Sequence, residues 1–461
     1  MPRSTSASYH PGSHQKLAYR LAFGLLLGLV FWAPLPFASN ILWSEMLLAL
    51  GCFLITFLVV ISDLKNQTSP VPLSSARLPL LFLLLAQLYL LLQILVPPIP
   101  EIGYLGNLEP MASKIQLLSG LAICSTFYVT VKTVTTEKRT KWLLAAIVLS
   151  GIFQASYGTV MTLSGLEYSF FIEKNDYRGV ATGTFINRNH LAGYLVLCLA
   201  CGIGMMISGF KRQNYRGIKD FFRSFVDAIV SGKGALRIGL VVMVIGLVFS
   251  RSRMGNSSFF IGLALAGLGV LIYSRVSKKT IGIFLVSILV IDALIISSFF
   301  NLNELAQRLE NTSTETENRD EIFQLSIPML KDNPVFGTGA GTFYTNYPAY
   351  RDESAGSGFY MHAHNDYVEF LSERGILGCL PLLAFFLVVF IQGLRLMRSK
   401  SMQRRGLAFT ILMSCIAITL HSTVDFNLQM PAYAFTLAVF WALAFCKPNL
   451  RRNQLSQGQE S

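Results

Sequence analysis

Four of the six histidines lie in polar segments between apolar runs, and they are His190, His362, His364 and His421. Imidazole groups accept and release protons near neutral pH. The densest segment, residues 362–369, sets two of these histidines beside Asn365 and Asp366. One histidine oriented by one carboxylate is enough for a general base, whereas the spacing matches neither H-E-x-x-H nor a Cys/His zinc framework. The pattern therefore favours proton transfer, without a metal, over metal binding.

The fourth of these histidines, His421, stands four residues before Asp425. Residues at that spacing share one face of a helix. We therefore interpret the pair as a structural hydrogen bond and assign His421 a supporting role.

Two arginines interrupt apolar sequence in the segment Ser250-Arg251-Ser252-Arg253. The apolar run before them is short, which places both guanidinium groups at or just below a membrane interface, where a charge is costly unless it has a partner. A lipid-linked phosphate lies at the same depth, and arginine binds phosphate oxygens through its planar fork. We therefore expect a phosphate clamp; the alternative is two arginines that extend from a tight turn to water.

Two further arginines are candidates. Arg319 stands at the start of a helical pattern and is a candidate third phosphate ligand, with a local ion pair to Asp320 or Glu315 as the alternative. Arg188 precedes His190 at the start of an apolar run. We assign Arg188 a supporting role, with a helix cap or an interface anchor as the alternative.

The composition places these residues on membrane helices. Hydrophobic residues make up 52% of the chain and charged residues 14%, against about 25% charged in soluble proteins. Disorder is excluded because a disordered chain has few apolar residues. The net charge of +13 fits the Lys and Arg of cytoplasmic loops better than a nucleic-acid partner.

A membrane helix needs about 20 apolar residues, and runs of this kind predict an all-α polytopic membrane protein with about twelve transmembrane helices, residues 1–461 forming a single transmembrane domain. We expect the first run to be a retained span, not a signal peptide. The expected spans are 17–34, 41–61, 78–96, 115–134, 142–162, 191–209, 236–250, 255–274, 281–300, 376–396, 407–420 and 431–446.

The distribution of Lys and Arg predicts that both termini are cytoplasmic. The four histidines and the arginine segment then lie together on the external face. The segment 301–375 is too long for a simple connector and is expected to be a large functional loop on that face. The segment 211–237 is expected to be a cytoplasmic loop with an interfacial helix.

The ordered set of these segments resembles the O-antigen ligase family, which includes polysaccharide polymerases. His364-Asn365, nine residues and then Gly375-Ile376-Leu377-Gly378 are similar to the family signature H-[NSQ]-x9-G-x-x-G-[TV], with Cys379 at the position of Thr or Val. Further similarity lies in residues 183–190, 250–253, 333–343 and 421–431.

The resemblance implies a bacterial inner-membrane glycosyltransferase that inverts the donor sugar on the periplasmic face. The donor would be a glycan on undecaprenyl diphosphate, and neither a nucleotide sugar nor a metal or other cofactor is implied. The acceptor would be a sugar hydroxyl, most simply on lipid A–core in lipopolysaccharide biosynthesis. His364 would take the acceptor proton, and Arg251, Arg253 and Arg319 would bind the diphosphate.

Two other functions stay open at this stage. An O-antigen or exopolysaccharide polymerase of the same family would use the same residues on a different acceptor. A secondary transporter or lipid flippase is the alternative from another class. Transporters place ionisable groups near the midplane, whereas here the polar residues collect at one face.

Overall fold

A computed structural model describes residues 13–67, 71–97, 99, 101, 106–210, 232–273, 278–299, 314–351 and 360–446. Helices dominate these residues, and the strands among them form one two-stranded antiparallel ribbon, β1 (Tyr168–Ser169) and β2 (Ile172–Glu173). The helices are α1 (Ser13–Trp32), α2 (Leu42–Lys65), α3 (Arg77–Leu95), α4 (Pro110–Thr133), α5 (Glu137–Ser164), α6 (Arg188–Ser208), α7 (Gly232–Phe249), α8 (Arg253–Tyr273), α9 (Lys278–Phe299), α10 (Thr314–Asp332), α11 (Phe343–Asn346), α12 (Asp366–Met397), α13 (Met402–His421) and α14 (Pro431–Leu443).

The prediction of an all-α polytopic membrane protein is confirmed. Each predicted apolar run coincides with a helix, and seven helices among the described residues are long and apolar enough to cross a membrane. The count of about twelve spans stays a prediction. Residues 211–231, which hold the expected interfacial helix, lie outside the described residues, and α7 begins at Gly232, inside the segment expected to be a loop.

Helix α6 forms the centre of the bundle. In its most apolar window 89% of the residues are buried inside the protein, against 22% for α12. Small residues allow this central position: a Cβ atom on Gly406 of α13 would lie 2.2 Å from the Gly204 carbonyl oxygen of α6. Close backbone approach at glycine is a common way for membrane helices to associate. Glycine residues on α6 and α13 therefore allow these two helices to pack closely at the centre of the bundle.

The segment 301–375 has a small apolar core of its own. Ile322 and Met329 of α10 pack there with Phe343, Tyr347 and Ala363. Arg319 lies in α10, but its side chain and residues 300–313 lie outside the described residues. The described part of the segment, residues 314–351 and 360–375, therefore folds around a core of its own, and the assignment of the segment to the periplasmic face stays a prediction.

Helix α12 begins at Asp366, ten residues before the predicted span, and it breaks at Gly375, where φ is +60° and ψ is −175°. The break lies against the preceding turn: a Cβ atom on Gly375 would lie 2.2 Å from the Val335 carbonyl oxygen. Gly337, with φ of +69°, packs equally closely on the Glu373 backbone. These contacts hold the first nine residues of α12 as a separate helical segment that begins at the site.

Candidate active site

The connection between α13 and α14 receives the N-terminus of α12. The Asn365 amide caps the helix, because its oxygen accepts from the Tyr367 and Val368 N–H groups, while its nitrogen donates to the Thr423 carbonyl at 2.9 Å. The buried Asp366 carboxylate accepts from the Ser422 hydroxyl at 2.7 Å and from the Leu428 N–H at 3.3 Å. Asn365 and Asp366 thus fix His364 against this connection.

Three histidines meet at the ring of Phe426. His362 stacks on the ring with a centroid distance of 4.1 Å, whereas His190 and His364 approach edge-on at 4.6 Å and 5.0 Å. Asp425 lies beside them: its Oδ1 is 3.5 Å from His190 Nε2 and 3.8 Å from His364 Nδ1. We call His190, His362, His364, Asp425 and Phe426 the histidine cluster.

Within the histidine cluster, His364 combines a left-handed backbone with a partly exposed side chain. Its φ is +50°, in the left-handed region that residues other than glycine rarely adopt and that recurs at active sites. Its side chain is 21% exposed, whereas that of His190 is 6% exposed. His364 is therefore more open to a ligand than its buried neighbour.

The carboxylate of Asp425 is 1% exposed and is held in its charged form by histidines. Burial by itself would raise its pKa, but the His190 and His364 side chains outweigh burial, and the positive potential of His190 and His421 adds to their effect. The pKa of Asp425 consequently lies well below its usual range. A charged carboxylate at this position can accept hydrogen bonds from the imidazole groups beside it.

A second carboxylate, Glu369, holds His362. Its Oε1 lies 2.7 Å from His362 Nδ1, and its Oε2 accepts from the Ala363 N–H at 2.9 Å. Burial lowers the pKa of His362, but the Glu369 charge and hydrogen bond, with the charges of Glu373 and Asp366, outweigh burial and raise it. Glu369 therefore fixes the loop that carries His364.

The last two histidines come from the bundle itself. His190 lies in the first turn of α6, where the Asn187 side chain accepts from the Asn189 N–H as a cap. His421 ends α13 and is buried, and its carbonyl oxygen accepts from the Asp425 N–H at 3.1 Å. The predicted side-chain bond between His421 and Asp425 stays a prediction.

The segment Ser250-Arg251-Ser252-Arg253 alternates buried serines with exposed arginines. The Ser250 hydroxyl donates to the Leu247 carbonyl oxygen, and the Ser252 hydroxyl accepts from the Gly255 N–H at 3.2 Å, so both serines satisfy backbone groups at helix ends. Arg251 has a left-handed φ of +52°. The serines build the turn, and the two guanidinium groups extend from it. We call residues 250–253 the arginine turn.

The first turn of α6 connects the arginine turn to the histidine cluster. A Cβ atom on Gly255 would lie 2.5 Å from the Ala192 Cβ, and one on Gly193 would lie 2.9 Å from the Asn427 Oδ1. Ala192 and Gly193 are adjacent on α6, two and three residues after His190. The structure therefore brings both groups to one end of the bundle, on neighbouring sides of α6.

The remaining predicted arginines, Arg188 and Arg319, belong to neither the histidine cluster nor the arginine turn. Arg188 lies at the start of α6, with its guanidinium carbon 5.7 Å from the centroid of the Tyr177 ring. Arg319 lies in α10, as stated above. Within the part of the chain that the structure describes, no three His, Cys, Asp or Glu side chains are arranged to hold a metal ion.

Comparison with known families indicates the kind of chemistry. Residues 238–383 match the O-antigen ligase family model. The resemblance seen in the sequence is confirmed, and the match indicates a membrane glycosyltransferase that transfers glycans as O-antigen ligases and polymerases do. No curated protein matches the chain.

The O-antigen ligase match supplies only part of the site. It includes the arginine turn, His362 and His364, but His190, Asp425 and Phe426 lie outside its bounds. The sequence alone indicated Asp425 only as a partner of His421, and it did not indicate Phe426 as a member of the histidine cluster or Glu369 as the partner of His362. Two sequence features could have indicated these contacts. One is the acidic residue directly before Phe426, and the other is the seven-residue spacing of His362 and Glu369.

Proposed function

We propose that this protein transfers a glycan from undecaprenyl diphosphate to a sugar hydroxyl on lipid A–core, at the periplasmic face of a bacterial inner membrane. The observation that carries the proposal is the histidine cluster beside the arginine turn. It sets a partly exposed imidazole, backed by a buried carboxylate, at the same end of the bundle as two exposed guanidinium groups. Both termini then lie in the cytoplasm.

His364 is the general base in this proposal. Asp425 faces Nδ1 of the imidazole, which leaves Nε2 for the acceptor. The acceptor oxygen attacks the anomeric carbon of the donor from the face opposite the diphosphate, and its proton passes to Nε2. The bond from that carbon to the phosphate oxygen breaks, its electron pair stays on the diphosphate, and the configuration inverts.

Arg251 and Arg253 bind the diphosphate, with Arg319 as a third ligand. Guanidinium groups stabilise the charge that grows on the phosphate oxygens as the bond breaks. Diphosphate is already a good leaving group, so the reaction proceeds without a metal ion or other cofactor. Arg188, His190, His362, Asn365, Asp366 and His421 are supporting residues that position these groups.

Transfer between two purified lipids tests the proposal. The full-length protein in lipid nanodiscs receives a lipid-linked O-antigen donor and lipid A–core, and the product is resolved on a gel. We expect a ladder of glycosylated lipid A–core from the wild-type protein and none from His364→Ala. Extension of the lipid-linked donor without change to lipid A–core would show a polymerase and contradict the proposal.

Gene deletion gives a second measurement in the cell. We expect unmodified lipid A–core together with accumulated lipid-linked polymer. Core that carries a single repeat unit would contradict ligation, because that product arises when polymerisation is lost. Counterflow of labelled substrate through vesicles, with no transfer between lipids, would show a transporter instead.

A further inference from the structure

The connection between α5 and α6 is a built loop around one buried lysine. Lys174 is 5% exposed, and its ammonium group lies 2.8 Å from Glu167 Oε2 and donates to the Val180 carbonyl at 3.0 Å. Glu167 Oε1 in turn accepts from the Gly179 N–H at 2.8 Å. A buried ammonium group held by two partners fixes the path of the chain around it.

This loop also stores backbone strain. Glu167, Phe170 and Tyr177 have φ values of +52°, +57° and +55°. Left-handed residues other than glycine cost free energy, and they persist where the surrounding contacts require one shape. The contacts of the loop therefore hold it in one conformation, whereas a simple connector needs no such fixed conformation.

A polar cavity of about 430 Å³ opens in this loop. Two guanidinium groups, one carboxylate and one phenol ring line it, and the lining residues are Asp176, Tyr177, Arg178, Val180 and Arg188. Guanidinium groups bind phosphate oxygens, and an aromatic ring beside hydrogen-bonding groups suits the body of a sugar. The lining therefore fits a phosphate-bearing sugar.

The Arg178 guanidinium group in the cavity is held in place by hydrogen bonds but remains accessible to a ligand. Arg178 donates from Nε to the Lys174 carbonyl at 2.9 Å, and its Nη2 lies 2.6 Å from Glu173 Oε1. Both side chains of that ion pair are more than half exposed, so the pair is weak and an anion can replace Glu173. When an anion replaces Glu173, the hydrogen bond from Arg178 Nε to the Lys174 carbonyl keeps the guanidinium group in its orientation.

The tip of the same loop is apolar. Phe171 is 82% exposed and Ile172 58% exposed, and Leu166 before them is 56% exposed. The tip directly follows α5, one of the helices able to span the membrane, so it lies where an apolar side chain can enter the lipid surface. The loop thus combines an apolar tip with a cationic cavity, which matches a ligand with lipid chains and a phosphorylated headgroup.

The cavity adjoins the histidine cluster through α6. Arg188 lines the cavity, and His190 stands two residues further along the same first turn. Residues two apart in a helix point in different directions, so the cavity and the cluster lie on different sides of this turn. A headgroup in the cavity therefore lies at the end of α6 that carries His190, and no residue of the arginine turn lines the cavity.

We propose that the cavity of Asp176, Tyr177, Arg178, Val180 and Arg188 binds the phosphorylated sugar headgroup of the glycolipid acceptor. This inference rests on the proposed function and assigns the acceptor to a place of its own. The diphosphate of the donor then uses the arginine turn, and the acceptor phosphate uses the loop between α5 and α6.

Direct binding of two lipid probes tests the assignment. The full-length His364→Ala protein in nanodiscs, which cannot turn over, is titrated with bisphosphorylated lipid A and with the same lipid after phosphatase treatment. We expect Arg178→Gln to weaken binding of the phosphorylated probe by about 10-fold, the size of one charged hydrogen bond. Binding of the dephosphorylated probe should not change.

Two matched variants sharpen the test. Glu173→Gln removes the carboxylate that competes for Arg178, so it should tighten binding of the phosphorylated probe. Arg398→Gln removes an exposed arginine at the far end of α12 and should change nothing. Equal affinity of Arg178→Gln and wild type for the phosphorylated probe would overturn the inference, as would an equal loss of binding to undecaprenyl diphosphate.

The proposed function and the cavity can fail separately. Glycan transfer that occurs with an unchanged acceptor KM in Arg178→Gln overturns the cavity assignment alone. Phosphate-dependent binding without any transfer by the wild-type protein overturns the proposed function and leaves the cavity as a glycolipid site.

Discussion

The histidine cluster and the arginine turn lie at one end of the bundle but are built in opposite ways. In the histidine cluster, buried carboxylates and an aromatic ring hold each imidazole, and three distant segments contribute. In the arginine turn, adjacent serines satisfy the backbone and the guanidinium groups extend outward. The proposed roles fit this difference, because a proton acceptor must be oriented before reaction, whereas a ligand for a mobile phosphate must be reachable.

This difference has a consequence for mutation. The histidine cluster should be sensitive at residues that never touch substrate, because its geometry depends on several buried groups. The arginine turn should be sensitive mainly at the arginines themselves. The predictions below test that contrast.

The largest effect is expected for His364→Ala. Loss of a general base costs about 10²- to 10⁴-fold in rate, and transfer between purified lipids measures it. Alanine fits the site sterically, and the anchoring bonds of Asn365 and Asp366 remain, so the protein should purify as a folded monodisperse sample. Transfer within a few-fold of wild type would exclude His364 as the base.

Asp425→Asn should have the next largest effect. The amide keeps the size of the side chain but removes the charge that faces His190 and His364. Loss of that charge removes a group that orients His364, and misplacement of a reacting group by about 1 Å can cost about 100-fold in rate, so kcat should fall roughly 10- to 100-fold while the donor KM stays nearly constant. A change in KM alone would show that Asp425 acts in binding instead.

A smaller effect is expected at the arginine turn. Arg253→Lys keeps the charge but loses the planar fork, so we expect about a 10-fold loss of kcat/KM, because a point charge replaces two parallel hydrogen bonds. Arg253→Gln should lose more. Equal activity of the lysine and arginine forms would show that only charge matters there and would weaken the phosphate-clamp assignment.

The smallest effect is a pH-dependent change in stability at His362. The raised pKa of His362 means that its pairing with Glu369 stabilises the fold fully below about pH 6.5, the unfolded value, and is lost as pH rises through the raised folded pKa. His362→Gln should therefore lower the melting temperature in detergent at pH 6 and have little effect at pH 9. His14→Gln, at an exposed position of α1, is the control, and a pH-independent difference for His362→Gln would contradict the ion-pair assignment.

Local sequence was enough to locate the helices. Apolar runs such as 41–61 and 142–162 coincide with α2 and α5 because lipid requires backbone hydrogen bonds to be satisfied within each span. The boundary at α12 was harder, since the polar residues 366–374 are helical through contacts with the preceding turn. Residues 366–374 do not form an apolar run, so the hydrophobic pattern did not indicate that they are helical.

The sequence by itself determined the class of the protein and the resemblance that the O-antigen ligase match confirms, and it supplied the candidate residues for proton transfer and phosphate binding. Only the tertiary structure decided that Asp425 faces His190 and His364 and that Phe426 packs among three imidazoles. These contacts join residues far apart in the chain. They depend on how α6, α12 and α13 pack, and packing between helices is set by shape and close approach, which no local pattern records.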